Sequence, residues 1–337
     1  MNRNLASAAA FAASLAALLV ITGTAAPAQS SGAPLLTLAD TSLFPEGISR
    51  DSARSRWLLS SIMQRTVVAV DDAGRITPFA RDVPADVGAI FGIRVDAARG
   101  ALWATSGAVP PMRGFTSADT ARAELLEFAL SDGHLRRRIA LPAAPVQRVP
   151  GDLAIGSDGT LYVSDGLAAR LYVIPPSGSP VRVLTSPFIS SLQGLVLTRA
   201  GDALIAADYR HGLIRIPLSG TDTIVPITAA DGRRVQGLDG LAWHGDALIA
   251  TYNGRLPGRV MRLTLSPDQR AITDVTVLET LTGAGEPTLG EVHGDAFIFI
   301  SNSPWSAFDD AGKRKPGSVM APPELRRLPL TPAPPTP

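Results

Sequence analysis

Six short signatures carry the residues most able to do chemistry. They are Glu46-Gly47-Ile48, Phe91-Gly92-Ile93, Gly151-Asp152-Leu153, Gln193-Gly194-Leu195, Asp239-Gly240-Leu241 and, more loosely, Thr288-Leu289-Gly290. Glu46, Gln193 and Asp239 hold the same place in three of them, just before the glycine. Two carboxylates and a carboxamide offer only oxygen, the donor set of a hard divalent cation. Ca²⁺ is the first expectation, and Mg²⁺, Mn²⁺ and Zn²⁺ are not separated from it by these residues. An apolar residue would pack at such a position with less desolvation cost than a carboxylate, so Glu46 and Asp239 read as functional. A second set, Asp165, Asp208, Asn253 and Asn302, ends short apolar segments, and Asp152 lies inside its signature. Asp152, Asp208, Asn253, Asn302 and Trp305 are the expected substrate-side residues. Asp and Asn at segment ends also cap turns and satisfy loose backbone groups, which is the competing reading for Asp165, Asp208, Asn253 and Asn302.

Other chemistries are poorly served. The chain has no cysteine, which excludes disulfides, thiol catalysis and Cys-ligated zinc. Its only lysines are Lys313 and Lys315, an unpromising supply for Schiff-base chemistry. His244 and His293 both fall in His-Gly-Asp turns, His134 falls in Ser-Asp-Gly-His, and His211 follows Asp208 closely enough to be a minor candidate. HExxH, GxSxG, a P-loop and a placed GxGxxG are all absent. A formal net charge of +1 gives no field for nucleic acid or a membrane surface.

The candidate residues are far apart in sequence, so a repeat must bring them together. Aligned on their second residues, the signatures start at 47, 92, 152, 194, 240 and 289, at intervals of 45, 60, 42, 46 and 49 residues. Each unit has a Gly-Leu/Ile start, a turn, an apolar strand ending in a small or polar residue, and a third apolar strand. A period of this size built of strands and turns predicts a six-bladed β-propeller. Second strands are expected at Trp57–Ser61, Ala101–Thr105, Leu161–Ser164, Ala203–Ala207, Ala247–Thr251 and Ala296–Ser301. Third strands are expected at Val67–Asp71, Leu125–Leu130, Leu171–Pro175, Leu213–Leu218, Val260–Leu265 and Leu325–Leu330. Fourth strands are expected at Ile76–Ala80, Leu135–Leu141, Val181–Thr185, Thr223–Ile227 and Asp274–Glu279. Blade six lacks one after Leu330, and a spare strand, Leu35–Ala39, precedes blade one. That strand is expected to complete the last blade and remove an open sheet edge. The innermost strands line the channel, so Glu46, Phe91, Gly151, Gln193, Asp239 and Thr288 should ring its mouth. Two long insertions, Ser106–Ala123 and Ser303–Glu324, should overhang that same face, because each leaves the end of a second strand.

The remaining chain fits an exported single domain. Arg3, the apolar run Ala8–Ile21 and Ala26-Pro27-Ala28 resemble a secretory signal over residues 1–28, with a mature chain from about Gln29 to 337 in the periplasm or medium. No later segment is apolar and long enough to span a bilayer. The 31 glycines and 28 prolines suit many short elements joined by turns, and residues 331–337 form a Pro-rich tail.

Phe44-Pro45-Glu46-Gly47-Ile48, Gln193-Gly194-Leu195 and Asp239-Gly240-Leu241 resemble three metal-site signatures of the regucalcin/gluconolactonase (senescence-marker-protein) propellers, over about residues 40 to 330. The resemblance implies a divalent ion in the channel held by Glu46, Gln193 and Asp239, with Asp239 also the general base of lactone or ester hydrolysis. Gln193 stands where that family has Asn, which keeps the amide oxygen on a longer arm. Gly151 stands where it commonly has a substrate-contacting Asn, while Asp152 matches. Two functions follow as expectations. One is an exported metal-dependent hydrolase of a small-molecule lactone or similar ester. The other is a non-catalytic propeller that binds a small ligand or protein partner at the same mouth.

Overall fold

The computed structural model describes residues 34–219, 223–283, 285–309 and 311–330. The expected signal segment 1–28, the mature start near Gln29 and the Pro-rich tail 331–337 lie outside the described residues. Five sheets form from consecutive strands and a sixth closes the ring. Blade one comprises Ile48–Asp51, Arg56–Ser61, Thr66–Asp71 and Ile76–Pro78, from the channel outward. Blade two comprises Ala89–Asp96, Ala101–Gly107, Ala123–Ala129 and Leu135–Ala140. Blade three runs from Pro150–Ile155 through Leu161–Asp165 and Arg170–Ile174 to Arg182–Leu184. Blade four has Leu192–Leu197, Ala203–Asp208, Gly212–Pro217 and only Val225–Pro226 on its outside. Blade five has Leu238–His244, Ala247–Tyr252, Arg259–Leu265 and Ala271–Thr280. A two-residue strand, Thr228–Ala229, pairs in parallel with its outer edge, an addition that no sequence signal marked.

Blade six comprises Gly290–His293, Ala296–Ile300 and Glu324–Pro329, and its fourth strand is Leu36–Thr37. Leu36 pairs with Leu325 and Thr37 with Glu324, so the spare N-terminal strand closes the ring as the repeat requires. Leu38 follows it into full burial and donates its backbone N–H to Pro323 O at 2.8 Å.

Second strands read as nearly unbroken apolar runs because each blade is covered on both faces by its neighbours. Ala203 to Ala207 are all fully buried. The core is therefore divided into six wedges among the described residues. Leu58 and Val67 of blade one meet Leu102 and Leu126 of blade two in one wedge. Ile298 and Leu325 of blade six meet Ile48, Trp57 and Leu38 in the closing one. The remaining wedges join the other neighbouring pairs in the same way.

The glycine of the signature has a steric reason. A Cβ on Gly47 would stand 2.4 Å from Phe91 O, and one on Gly194 would stand 2.3 Å from Asp239 O. Innermost strands of adjacent blades thus approach backbone to backbone around the channel, which only glycine permits.

Candidate active site

The signatures are also where the innermost strands break register. Pairing shifts between Ile90 and Ile93, Pro150 and Leu153, Leu192 and Leu195, and Leu238 and Leu241. Each shift is a bulge that turns the enclosed residues out of the regular alternation. Hydroxyls on the second strands take up backbone donors freed there. Gly47 N donates to Ser60 Oγ at 2.7 Å, Asp152 N to Ser164 Oγ at 3.0 Å and Gly240 N to Thr251 Oγ1 at 2.8 Å. Ser60, Ser164 and Thr251 are a repeat signal that accompanies the glycine, at a bulge in blades three and five.

Two of the expected ligands meet at this mouth. Trp305 Nε1 donates to Glu46 Oε2 at 2.7 Å, and Ser303 Oγ reaches the same oxygen at 3.4 Å. Asn253 Nδ2 donates to Asp239 Oδ2 at 2.7 Å, and Asp239 is 5% exposed. These bonds leave Glu46 Oε1 and Asp239 Oδ1 as the oxygens through which a ligand would be held. Burial pushes the Glu46 carboxyl well above its ordinary value, and the negative charge of Asp239 adds to the shift. Burial raises Asp239 to about 7 against the opposing Asn253 bond. Glu286, which the sequence reading missed, is a third member, raised by burial to about 7. It joins blade six to the site through a backbone bridge with Ser303. Its charge is felt by both other carboxylates. Tyr209 is the other omission. Its hydroxyl donates to Asn253 Oδ1 at 2.5 Å, and burial with the charges of Asp239, Glu286 and Glu46 raises it well above an ordinary phenol. Tyr209 follows the strand-end Asp208, so its position was legible, but Glu286 belongs to no repeat signature.

The other expected residues are placed differently. Gln193 engages Ser191 through its amide nitrogen, 3.3 Å from Oγ, and packs against Gly166. Asp152 points along the channel: its Oδ2 accepts from Leu195 N at 3.2 Å and its Oδ1 lies 3.4 Å from Arg94 Nη2. Asp208 accepts the backbone N–H groups of Ser190, Ser191, Arg210 and His211 at full burial. Asp165 likewise accepts from Val149, Leu167 and Ala168 and from the Tyr172 hydroxyl. Asn302 ties down the base of the second insertion, donating to Pro322 O and accepting from Glu324 N. Asp208, Asp165 and Asn302 thus tie down neighbouring backbone. Asn253 and Trp305 are the two substrate-side candidates that touch the carboxylates.

Both insertions cover this mouth. Phe44, Phe91, Val109 and Met112 form one apolar cluster with Phe115, Trp305 and Phe308 packed against it. Phe44 meets Trp305 edge-on at 4.8 Å and stacks on Phe308 at 5.5 Å. A Cβ on Gly312 would strike Pro110, so the insertions touch each other. A cavity of about 590 Å³ also opens at the far end of the channel, between Arg94, Leu197, Trp243 and Val292, away from the carboxylates.

The donor set fits a divalent cation in part. Asp239 raises the proton affinity of Glu46, and Asp152 and Glu286 raise that of Asp239, a crowding of negative charge that a cation would relieve. No three acidic, His or Cys side chains among the described residues are close enough to share one ion, so neutral donors would have to complete the shell.

No protein-family model and no curated protein matches this chain. Solved structures do. The PQQ-bound form of an aldose sugar dehydrogenase from Streptomyces coelicolor is 18% identical, with 90% of this chain and 99% of that chain covered and a TM-score of 0.59. A structure provisionally named a gluconolactonase is 18% identical, with 79% and 88% covered and a TM-score of 0.55. Virginiamycin B lyase from Staphylococcus aureus is 17% identical, with 79% and 94% covered and a TM-score of 0.53. At such identity the likeness establishes the fold, and one fold serves several chemistries.

Proposed function

We propose that the channel mouth is the site of a divalent-cation-assisted hydrolase acting on a lactone or similar ester, in a protein exported to the periplasm or medium. The observation that carries this reading is the pair Glu46 and Asp239, buried together from blades one and five with no cationic partner among the described residues. Glu46 and Asp239 would hold the ion. Gln193 would join through Oε1, its amide nitrogen being the atom engaged by Ser191. Ca²⁺ suits the all-oxygen set best, with Mg²⁺, Mn²⁺ or Zn²⁺ as alternatives. A bound divalent ion would polarise the ester carbonyl and acidify a water.

The chain's own groups supply the rest. Asp239 would take the proton of the attacking water on the lone pair of Oδ1 that does not hold the ion, since Oδ2 is engaged by Asn253. Glu286, which holds its proton to about neutral pH, is a further acid on the blade-six side. Trp305 and Phe308 wall the mouth and exclude bulk water. The apolar wall supports an ester with an apolar portion as readily as a sugar lactone.

The test is calorimetric titration of chelator-treated protein with the four ions, followed by a panel of sugar, aliphatic and aromatic lactones and esters. Ion binding with turnover of at least one ester is expected. Absence of ion binding up to millimolar concentration would leave the mouth as a non-catalytic ligand-binding site.

A further inference from the structure

Asn253 sits at the end of the second strand of blade five, where its amide meets three neighbouring blades. Its Nδ2 donates one hydrogen to Asp239 Oδ2 at 2.7 Å and another to Pro287 O, at the entrance to blade six, at 3.0 Å. Its Oδ1 accepts from the hydroxyl of Tyr209, at the end of the second strand of blade four, at 2.5 Å. The Pro287 carbonyl can only accept, as can the ionised Asp239 carboxylate, so these two partners fix the NH₂ on their side and leave Oδ1 to the Tyr209 hydroxyl. The flipped amide would set its own carbonyl against Asp239 and turn its NH₂ toward a hydroxyl and away from Pro287 O. The observed orientation satisfies all three partners, whereas the flipped one loses the bonds to Asp239 and Pro287.

We infer that Tyr209 and Asn253 act in series as positioning residues for Asp239, holding its carboxylate so that Oδ2 is saturated and Oδ1 is presented to the channel. Tyr209 reaches Asp239 through Asn253. A carboxylate without this partner turns about χ2 and exchanges its two oxygens, and the productive geometry becomes one of several. Because the chain of bonds runs from blade four through blade five to blade six, it also fixes Asp239 relative to the wall that carries Glu286 and Trp305. The assignment deepens the hydrolase reading and, for its effect on turnover, rests on it.

The chain itself provides a clean structural test. It contains four asparagines, Asn2, Asn4, Asn253 and Asn302. Asn2 and Asn4 lie in the expected signal segment, so selective ¹⁵N-asparagine labelling of the mature protein gives two side-chain amide pairs, and an Asn253 variant identifies the one of interest. The Asn253 pair should be slow to exchange with solvent, and both Tyr209→Phe and Asp239→Asn should shift it and speed its exchange. Tyr209→Phe should lower kcat on whichever ester is turned over by about tenfold, with KM and the melting temperature little changed. In an Asn253→Ala background the same substitution should do nothing further, because the link it acts through is gone.

An Asn253 amide pair indifferent to Tyr209→Phe overturns the proposal. So does a kcat loss that is additive in the double variant, which would mean that Tyr209 acts on its own. The labelling result stands without any catalytic assay. If no ester is hydrolysed while the amide behaves as described, the hydrolase reading falls and the positioning of Asp239 remains.

Discussion

At the residue scale, the site is defined by carboxylates that the fold buries, with Lys315 opposing the shift of Glu286 alone. Asp239 and Glu286 titrate near 7 rather than near their ordinary 3.8 and 4.5. In the ion-free protein each therefore keeps its proton in the folded state over a range where the unfolded chain has lost it. The folded state then binds more protons than the unfolded state, so stability falls as pH rises from about 4 to about 7. Carboxylates with lowered values, such as Asp71 and Asp86, act below that window and in the opposite sense. Scanning calorimetry of chelated protein should give a lower melting temperature at pH 7 than at pH 5, and Asp239→Asn should flatten the slope. A melting temperature that climbs over this interval would contradict the burial assigned to these groups. Adding Ca²⁺ should recover more stability at pH 7 than at pH 5. Asp239→Ala should abolish that recovery, and Glu46→Ala should reduce it.

At the element scale, the two devices that hold the mouth are the glycine signature and the closing strand. Gly194→Ala forces a Cβ to 2.3 Å from Asp239 O, a backbone atom of the next blade. The substitution should cost about 1–3 kcal/mol, as overpacking of a tight interior does, and should weaken ion binding because Asp239 must move. Urea titration and calorimetry of the variant read both effects; wild-type values in each would mean that the strands do not approach as described. Leu38 anchors the closing strand at full burial, packed with Leu43, Ile48 and Leu325. Leu38→Ala should cost about 2–5 kcal/mol. Removing residues 34–39 should bare the Glu324–Pro329 edge and produce aggregation visible by light scattering. The insertions form a third device. Trp305 of one insertion holds Glu46, while Met112 and Phe115 of the other complete the same wall. Trp305 fluorescence should change when a divalent ion competes for Glu46, and Trp305→Phe should remove that change.

At the scale of the whole molecule, the ring makes distant residues neighbours. Glu46 and Asp239 belong to the first and fifth blades, and the sixth closes between them only because Leu36–Thr37 completes its sheet. An ion shared by both carboxylates would clamp the blades on either side of that closure. Chelation should therefore loosen the closing wedge selectively. Hydrogen exchange of Leu38 and Ile300 should accelerate more than that of Leu171 and Leu204, which lie in the wedge between blades three and four. Uniform acceleration would show that any ion effect is not carried by the closure. Among the described residues no helix is long and apolar enough to cross a membrane.

The repeat was legible in sequence because each blade must bury an apolar second strand on both faces and must carry glycine where innermost strands touch. Both demands act on residues a few positions apart, so they leave a pattern at a period of 42 to 60 residues. The same periodicity placed Glu46 and Asp239 at one mouth and assigned the spare strand to the last blade. It could not separate a carboxylate that faces the channel from one that ties a loop. Asp208 and Asp165 end their strands as Asn253 does, but the backbone donors that saturate the first two lie in connections whose paths no local pattern encodes. Nor could it foresee that Gln193 would turn toward Ser191, or that Glu286 would join the pair from a segment outside every signature. Those outcomes depend on which side chains meet when the sixth blade closes against the first, and contacts between blades are decided by tertiary packing.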